Sequence, residues 1–163
     1  MSSSVTLGER NNNLFNIRYS PANEWLGQTG ENKGFAVFSD RIYGTRAADR
    51  LLANYGAQNI NTVNDIISRF APPTENDTEN YINRIVEDTG YDRDKRLDLA
   101  NRNVRLPLLK AMAKMETGVI LDDRDIMAAQ NFNSNQTLNE PFSDDILNAI
   151  ALDENIKTFT ERL

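Results

Sequence analysis

The 163-residue sequence contains no cysteine and no histidine. These absences exclude disulfide bonds, thiol catalysis, a Ser-His-Asp triad and the zinc sites that need histidine or cysteine ligands. Any chemistry must therefore depend on carboxylates, hydroxyl groups or amides. We expect neither a metal nor another cofactor.

Long apolar segments are also missing. No run approaches the ~18 to 20 residues of a membrane-spanning helix, and residues 1–8 lack the basic and apolar regions of a signal peptide. We therefore expect no membrane span, and synthesis in a cytoplasm without a signal peptide. The length suits one domain with a substantial core.

The net charge of -6 is unevenly distributed. Residues 1–120 hold 15 acidic and 15 basic side chains, whereas residues 121–163 hold nine and three. This difference predicts a globular domain over 1–120 and an acidic, partly helical tail over 121–163 that attaches to a partner. Nucleic acid is not an expected partner, because binding phosphates requires a basic surface. A neutral glycan remains compatible with this charge.

The apolar pattern predicts an α+β protein that is mainly helical. Phe15, Ile17 and Tyr19 alternate with polar residues, and residues 34–38 resemble a second strand, so a small β-hairpin element is expected around a loop over 20–33. Helical periods follow. They predict helices over residues 48–55, 63–70, about 74–90, 103–117 and about 122–131.

The segment Arg10-Asn11-Asn12-Asn13-Leu14-Phe15-Asn16-Ile17-Arg18 resembles the R-N-N-N-P-x-N-I-R motif of a family of phage and prophage proteins. That family includes virion structural proteins and peptidoglycan hydrolases. Further matching segments follow in the family's order: Trp25-Leu26-Gly27, residues 34–38 with 43–47, residues 66–78 with Tyr81, and Met115-Glu116-Thr117-Gly118. Leu14, Phe70 and Met115 stand where the family has Pro, Trp and His.

The β region is also similar to that of bacterial glucosaminidases, which are relatives of lysozyme. There the region follows a helix that ends in a catalytic glutamate, whereas here Glu9 has too few residues before it for such a helix. Met115-Glu116-Thr117-Gly118 instead resembles the end of the catalytic helix of a lytic transglycosylase. The resemblance implies a lysozyme-like fold in circularly permuted order, with Glu116 close to Asn13, Trp25 and Tyr43.

Glycosidic cleavage needs a carboxylic acid that stays protonated near neutral pH, which burial can achieve. Glu116 is the candidate for this acid, and the alternative is a solvated glutamate at a helix end. A hydrolase needs a second carboxylate, for which Glu75 and Asp77 are weaker candidates. They also suit the N-terminus of a helix. The resemblance implies that a lytic transglycosylase needs one glutamate.

Several polar and aromatic side chains could bind a glycan. Amides can hydrogen-bond to sugar hydroxyl and N-acetyl groups, aromatic rings can stack on sugar faces, and arginines can meet a stem-peptide carboxylate. The candidates are Asn13, Asn16, Arg18, Trp25, Gln28, Tyr43 and Arg46. The alternatives are turns for the asparagines, a hairpin core for Trp25 and loop support for the arginines.

Two functions follow from the resemblance. In the first, the chain is a virion-associated muramidase or lytic transglycosylase that acts on glycan strands of the host cell wall during genome delivery. In the second, it is a non-catalytic phage structural or assembly protein that retains the fold. The acidic tail would attach to other virion proteins in either case.

Overall fold

The computed structural model describes residues 4–132. Within this range it contains six α-helices and one two-stranded antiparallel sheet, which confirms the prediction of a mainly helical α+β protein. The elements are α1 Leu7–Arg10, β1 Gln28–Asn32, β2 Phe35–Phe38, α2 Arg41–Ala57, α3 Val63–Phe70, α4 Thr78–Thr89, α5 Arg102–Thr117 and α6 Asp123–Gln130. None of these helices is long and apolar enough to cross a membrane.

The hairpin differs from the predicted one in its first strand. β1 pairs with β2 from Gln28 opposite Phe38 to Asn32 opposite Phe35, so β1 lies inside the segment that was predicted to be a loop. Lys33 and Gly34 join the strands with positive φ angles, as a two-residue hairpin turn requires.

Residues 15–19, predicted as the first strand, instead form a loop with a single bridge from Arg18 to Phe35. Asn16 has a φ of 49°, which is incompatible with continuous extended backbone. Phe15 and Ile17 are nevertheless buried, whereas Tyr19 is exposed. Their alternation thus reflects two side chains that anchor a loop to the core.

The helix termini follow from local sequence. The Thr62 side chain accepts a hydrogen bond from the backbone N–H of Asp65 and so caps the start of α3. Gly90 and Gly118 end α4 and α5 in left-handed conformation, with φ of 75° and 77°. Gly118 therefore fixes where the chain leaves α5, one residue after its last turn.

The hydrophobic core continues beyond residue 120, where the sequence suggested a domain boundary. Leu121, Ile126, Ala129 and Phe132 are all buried in the same core as the preceding helices. α6 packs against both α2 and α5. The remainder of the predicted acidic tail, residues 133–163, lies outside the described residues.

A buried ionic cluster joins these three helices. The Asp49 carboxylate of α2 is fully buried and accepts hydrogen bonds from Arg105 Nε at 2.7 Å and Arg50 at 2.8 Å. The side-chain amide of Gln130 donates to it at 3.0 Å. Because buried charges need such partners, the cluster fixes how α2, α5 and α6 sit together.

The N-terminal loop approaches α2 closely at Gly44. A Cβ atom at this position would lie 2.3 Å from the backbone oxygen of Asn12.

We expect Gly44→Ala to lower the free energy of unfolding by about 1–3 kcal/mol, because backbone must move to relieve the overlap. Urea denaturation would measure this loss. Gly30→Ala is the control, since no atom lies within 4 Å of its added Cβ. Equal stability of the two variants would contradict the prediction.

Candidate active site

A cleft of about 420 Å³ lies between the N-terminal loop, the C-terminal end of α3 with the segment that follows it, and the end of α5. Five of the ten side chains predicted as site residues line it: Asn16, Arg18, Trp25, Glu75 and Glu116. The other lining residues are Ile17, Asn23, Phe35, Leu51, Tyr55, Arg69, Phe70, Ala71, Pro72 and Asn76. The cleft therefore combines an aromatic wall with amides and charged groups.

Glu116 is the second-last residue of α5 and is partly buried in the cleft. Thr117 beside it directs its single hydroxyl proton to the Ala113 carbonyl at 3.0 Å and, more weakly, to the Leu14 carbonyl at 3.4 Å. The end of α5 is thus attached to the N-terminal loop. Glu116 is neither fully solvated nor remote from the β region.

Asn16 holds the Glu116 side chain directly. Its amide Nδ2 donates to Glu116 Oε1 at 2.9 Å and approaches the Glu116 backbone oxygen at 3.5 Å. Asn16 was predicted to be a sugar ligand. In the structure its amide nitrogen faces the candidate acid instead.

Tyr81 of α4 lies behind the same carboxylate. Its hydroxyl is buried and makes no hydrogen bond of standard geometry within residues 4–132. Burial raises the pKa of Tyr81 well above its ordinary value, and the neighbouring Glu116 charge raises it further. Tyr81 therefore stays protonated and can stabilise a carboxylate beside it.

Burial raises the pKa of Glu116 above its ordinary value. The Asn16 amide, the Tyr81 hydroxyl and then the Arg18 charge act in the opposite direction, because each favours the ionised carboxylate. The net effect is a raised pKa. This is the direction that a proton donor in glycosidic cleavage requires.

Glu75 reaches the cleft from the segment between α3 and α4, where it pairs with Arg18. The Arg18 guanidinium donates to Glu75 Oε2 at 2.9 Å and also lies over the Phe35 ring. Both partners are exposed, with 62% and 51% of their side-chain surfaces accessible. Glu75 thus reaches the cleft as an exposed carboxylate whose Oε2 is ion-paired.

We expect Glu75→Gln to change the free energy of unfolding by less than about 1 kcal/mol, because water and salt screen an exposed ion pair. Urea denaturation at low and high salt would measure it, and the small difference between variant and wild type should shrink further as salt is added. A loss of several kcal/mol would show that the pair is much less solvated than its exposure indicates.

The other five predicted site residues lie outside the cleft. Asn13 is fully buried, where it donates to the Ile17 and Ala36 carbonyls and accepts from the Ile17 N–H. Tyr43 is buried in α2, edge-on to the Phe132 ring at 5.3 Å. Glu116 therefore shares the cleft with Trp25, whereas Asn13 and Tyr43, which were expected beside it, belong to the core.

The remaining three also have structural roles. Arg46 is buried in α2 and donates to the Phe132 carbonyl at 3.3 Å. Gln28 begins β1 and its amide approaches the Asn23 carbonyl at 3.5 Å. Asp77 caps α4 by accepting from the Asn80 N–H at 3.2 Å, as the alternative interpretation proposed.

Trp25 is mainly a core residue that borders the cleft. It is 4% exposed and belongs to the core, yet part of its surface forms the cleft wall. Phe35, Tyr55 and Phe70 extend this aromatic wall and were not predicted as site residues. A ligand with apolar faces could lie along these side chains.

Tyr81 was also not predicted as a site residue, although it lies behind the Glu116 carboxylate. Tyr81, Ile82 and Ile85 follow one helical period, which is typical of a buried apolar face, and all three are buried. Its hydroxyl is the feature that could have indicated a place in the site for Tyr81, since a buried tyrosine usually needs a polar neighbour. No cluster of three or more carboxylates within residues 4–132 is arranged to hold a metal ion.

These observations define a mainly helical α+β protein with one partly buried glutamate in an aromatic-walled cleft. No model of a known protein family matches the chain. A relative nevertheless shows its family: the chain belongs to a family of phage proteins. That relative is Protein P5 of Pseudoalteromonas phage PM2, to which the chain is 35% identical over 116 residues, covering 68% of this chain and 71% of the phage protein.

Proposed function

We propose that this chain is a virion-associated protein that cleaves peptidoglycan, with Glu116 as the acid that protonates the glycosidic oxygen. The observation that carries the proposal is the position of Glu116, in a cleft large enough for a sugar-sized ligand with its pKa raised by burial. A phage must breach the cell wall to deliver its genome. The kinship with a phage protein supports this setting.

The cleft offers what glycan binding needs besides the acid. Phe35 and Phe70, which are partly exposed, provide apolar surfaces for sugar rings, while Asn23 and Asn76 provide amides for sugar hydroxyl and N-acetyl groups. The order of elements also supports a lysozyme-like fold in permuted order, because the end of α5 packs on the loop that precedes the hairpin.

The arrangement favours a mechanism with one acid over one with two. Glu75, the other carboxylate that lines the cleft as described, is exposed and ion-paired with Arg18, whereas Glu116 is partly buried and burial raises its pKa. A lytic transglycosylase mechanism, in which the same glutamate donates and later accepts a proton, is therefore our preferred form of the proposal. A hydrolase would require Glu75 to act as the second carboxylate.

Digestion of purified peptidoglycan by the full chain, over a range of pH, tests the proposal. We expect release of soluble muropeptides, and mass spectrometry should find 1,6-anhydro ends. Reducing ends would instead indicate a hydrolase. If wild-type protein releases nothing at any pH, the enzymatic proposal is wrong and a structural role in the phage particle becomes the better explanation.

A further inference from the structure

We propose that Asn16 is a positioning residue that orients the Glu116 carboxyl and sets the pH at which it gains and loses a proton. This inference deepens the proposed function and rests on it for its catalytic meaning. Asn16 then acts on the Glu116 carboxyl and is not a sugar ligand.

The amide of Asn16 has one orientation available. Nδ2 faces the carboxylate oxygen and the backbone oxygen of Glu116, at 2.9 and 3.5 Å. The backbone oxygen accepts in either protonation state of Glu116, and the ionised carboxylate also accepts, so the NH₂ group of the amide faces them. The two contacts connect the carboxyl to the end of its own helix and fix its direction relative to the cleft.

The backbone around Asn16 is built to keep the amide there. Asn16 has a left-handed φ of 49°, a conformation that asparagine tolerates better than most residues. Gly8 lies directly beneath it, because a Cβ atom at Gly8 would approach Asn16 Oδ1 to 2.9 Å. The absence of a side chain at Gly8 leaves room for the Asn16 amide, and the left-handed backbone at Asn16 sets its direction.

If Asn16 served only to attach α5 to the N-terminal loop, its amide would not need to bond to the Glu116 carboxyl. Thr117 already attaches α5 to the loop through the Leu14 carbonyl. The Asn16 bond ends instead on a titratable group, which also faces the Tyr81 hydroxyl of α4 and the Arg18 charge. Arg69 and Glu75 are the other charged residues that line the cleft. Among all of these, Asn16 provides the short hydrogen bond from a neutral group.

The test is the titration of Glu116 in Asn16→Gly, followed by carbon NMR of labelled glutamate carboxyls and assigned with Glu116→Gln. Glycine accepts the left-handed backbone, so this variant removes the amide without adding strain. We expect the Glu116 pKa to rise above that of wild type, because a donor to the carboxylate is lost. The control is Asn59→Gly, another left-handed asparagine, which lies outside the cleft.

In activity measurements, the high-pH limb of muropeptide release should move to higher pH in Asn16→Gly. We expect kcat to fall by about 10- to 100-fold with little change in KM, because the acid is no longer held in position. Asn59→Gly should show neither effect.

Asn16→Asp provides a second test, since aspartate also tolerates left-handed backbone. It would place two carboxyl groups within hydrogen-bond distance, and we expect them to titrate as a coupled pair whose upper pKa exceeds that of wild-type Glu116.

An unchanged Glu116 pKa in Asn16→Gly, or independent titration in Asn16→Asp, would overturn the inference. The carbon NMR measurement needs no activity. If the wild type proves inactive but these pKa changes occur, the proposed function fails and the assignment of Asn16 to Glu116 stands.

Discussion

Replacement of Glu116 by glutamine is expected to lower the rate of muropeptide release by about 10²- to 10⁴-fold, the usual contribution of a general acid. Glutamine has nearly the same shape and its side-chain oxygen can still accept the hydrogen bond from Asn16. It cannot donate a titratable proton to a glycosidic oxygen. The loss should therefore fall on catalysis, with the fold intact.

The pH dependence of stability provides an independent check on this variant. Because burial raises the pKa of Glu116, the folded protein favours the protonated carboxyl. The stability that this contributes is present below the ordinary pKa of glutamate and is lost as pH rises through the raised value. Wild type then carries a buried carboxylate that Glu116→Gln lacks. The free energy of unfolding of the variant, relative to wild type, should increase with pH across this window.

Glu87→Gln is the matched control, because it makes the same chemical change on an exposed site of α4. It should match the wild type in muropeptide release and in the pH profile of urea denaturation. Full activity in Glu116→Gln would show that another group donates the proton, and would leave the class of enzyme open.

The buried ionic cluster gives the second large effect. We expect Asp49→Asn to lower the free energy of unfolding by about 3–5 kcal/mol, because it removes the charge that compensates two buried guanidinium groups. Domains of this kind are typically stable by about 5–15 kcal/mol, so the variant would lose a large share. Urea denaturation followed by circular dichroism measures this change.

Glu75→Gln provides the comparison, since it also removes one carboxylate from an ion pair with arginine but at an exposed position. The expected losses differ severalfold because water screens one pair and not the other. Similar small losses in both variants would mean that Asp49 is hydrated, in conflict with its complete burial.

Helices could be predicted from the sequence because the spacing of apolar residues along a helix is a local pattern. Val63, Ile66 and Ile67 repeat with the helical period, and all three are fully buried in α3. The first strand could not be predicted in this way. Phe15 and Ile17 have the strand period, but the left-handed turn at Asn16 between them has no apolar signature.

The burial of charged side chains could not be predicted from the apolar period of the sequence. Arg46 was expected to bind a ligand and Asp49 had no assigned role, because charged residues are usually exposed. Their burial depends on partners far along the chain, such as Arg105, 56 residues after Asp49. No local pattern encodes such a pair.

For the candidate site, motif resemblance singled out Glu116, which lines the cleft, but did not distinguish side chains that face the cleft from those behind it. Asn13 and Asn16 belong to one motif, yet Asn13 is buried and Asn16 faces Glu116. The left-handed backbone at Asn16 turns the two amides in different directions. That geometry, rather than residue type, assigns their roles.

The hydrogen bond between Asn16 and Glu116 has a consequence for protein synthesis, because it joins residues 100 positions apart. A ribosome that adds about 5–20 residues per second makes Glu116 roughly 5–20 s after Asn16. During that interval the loop lacks the helix end on which it packs. A nascent chain therefore has no assembled cleft, and any activity of this site must begin after most of the domain has left the ribosome.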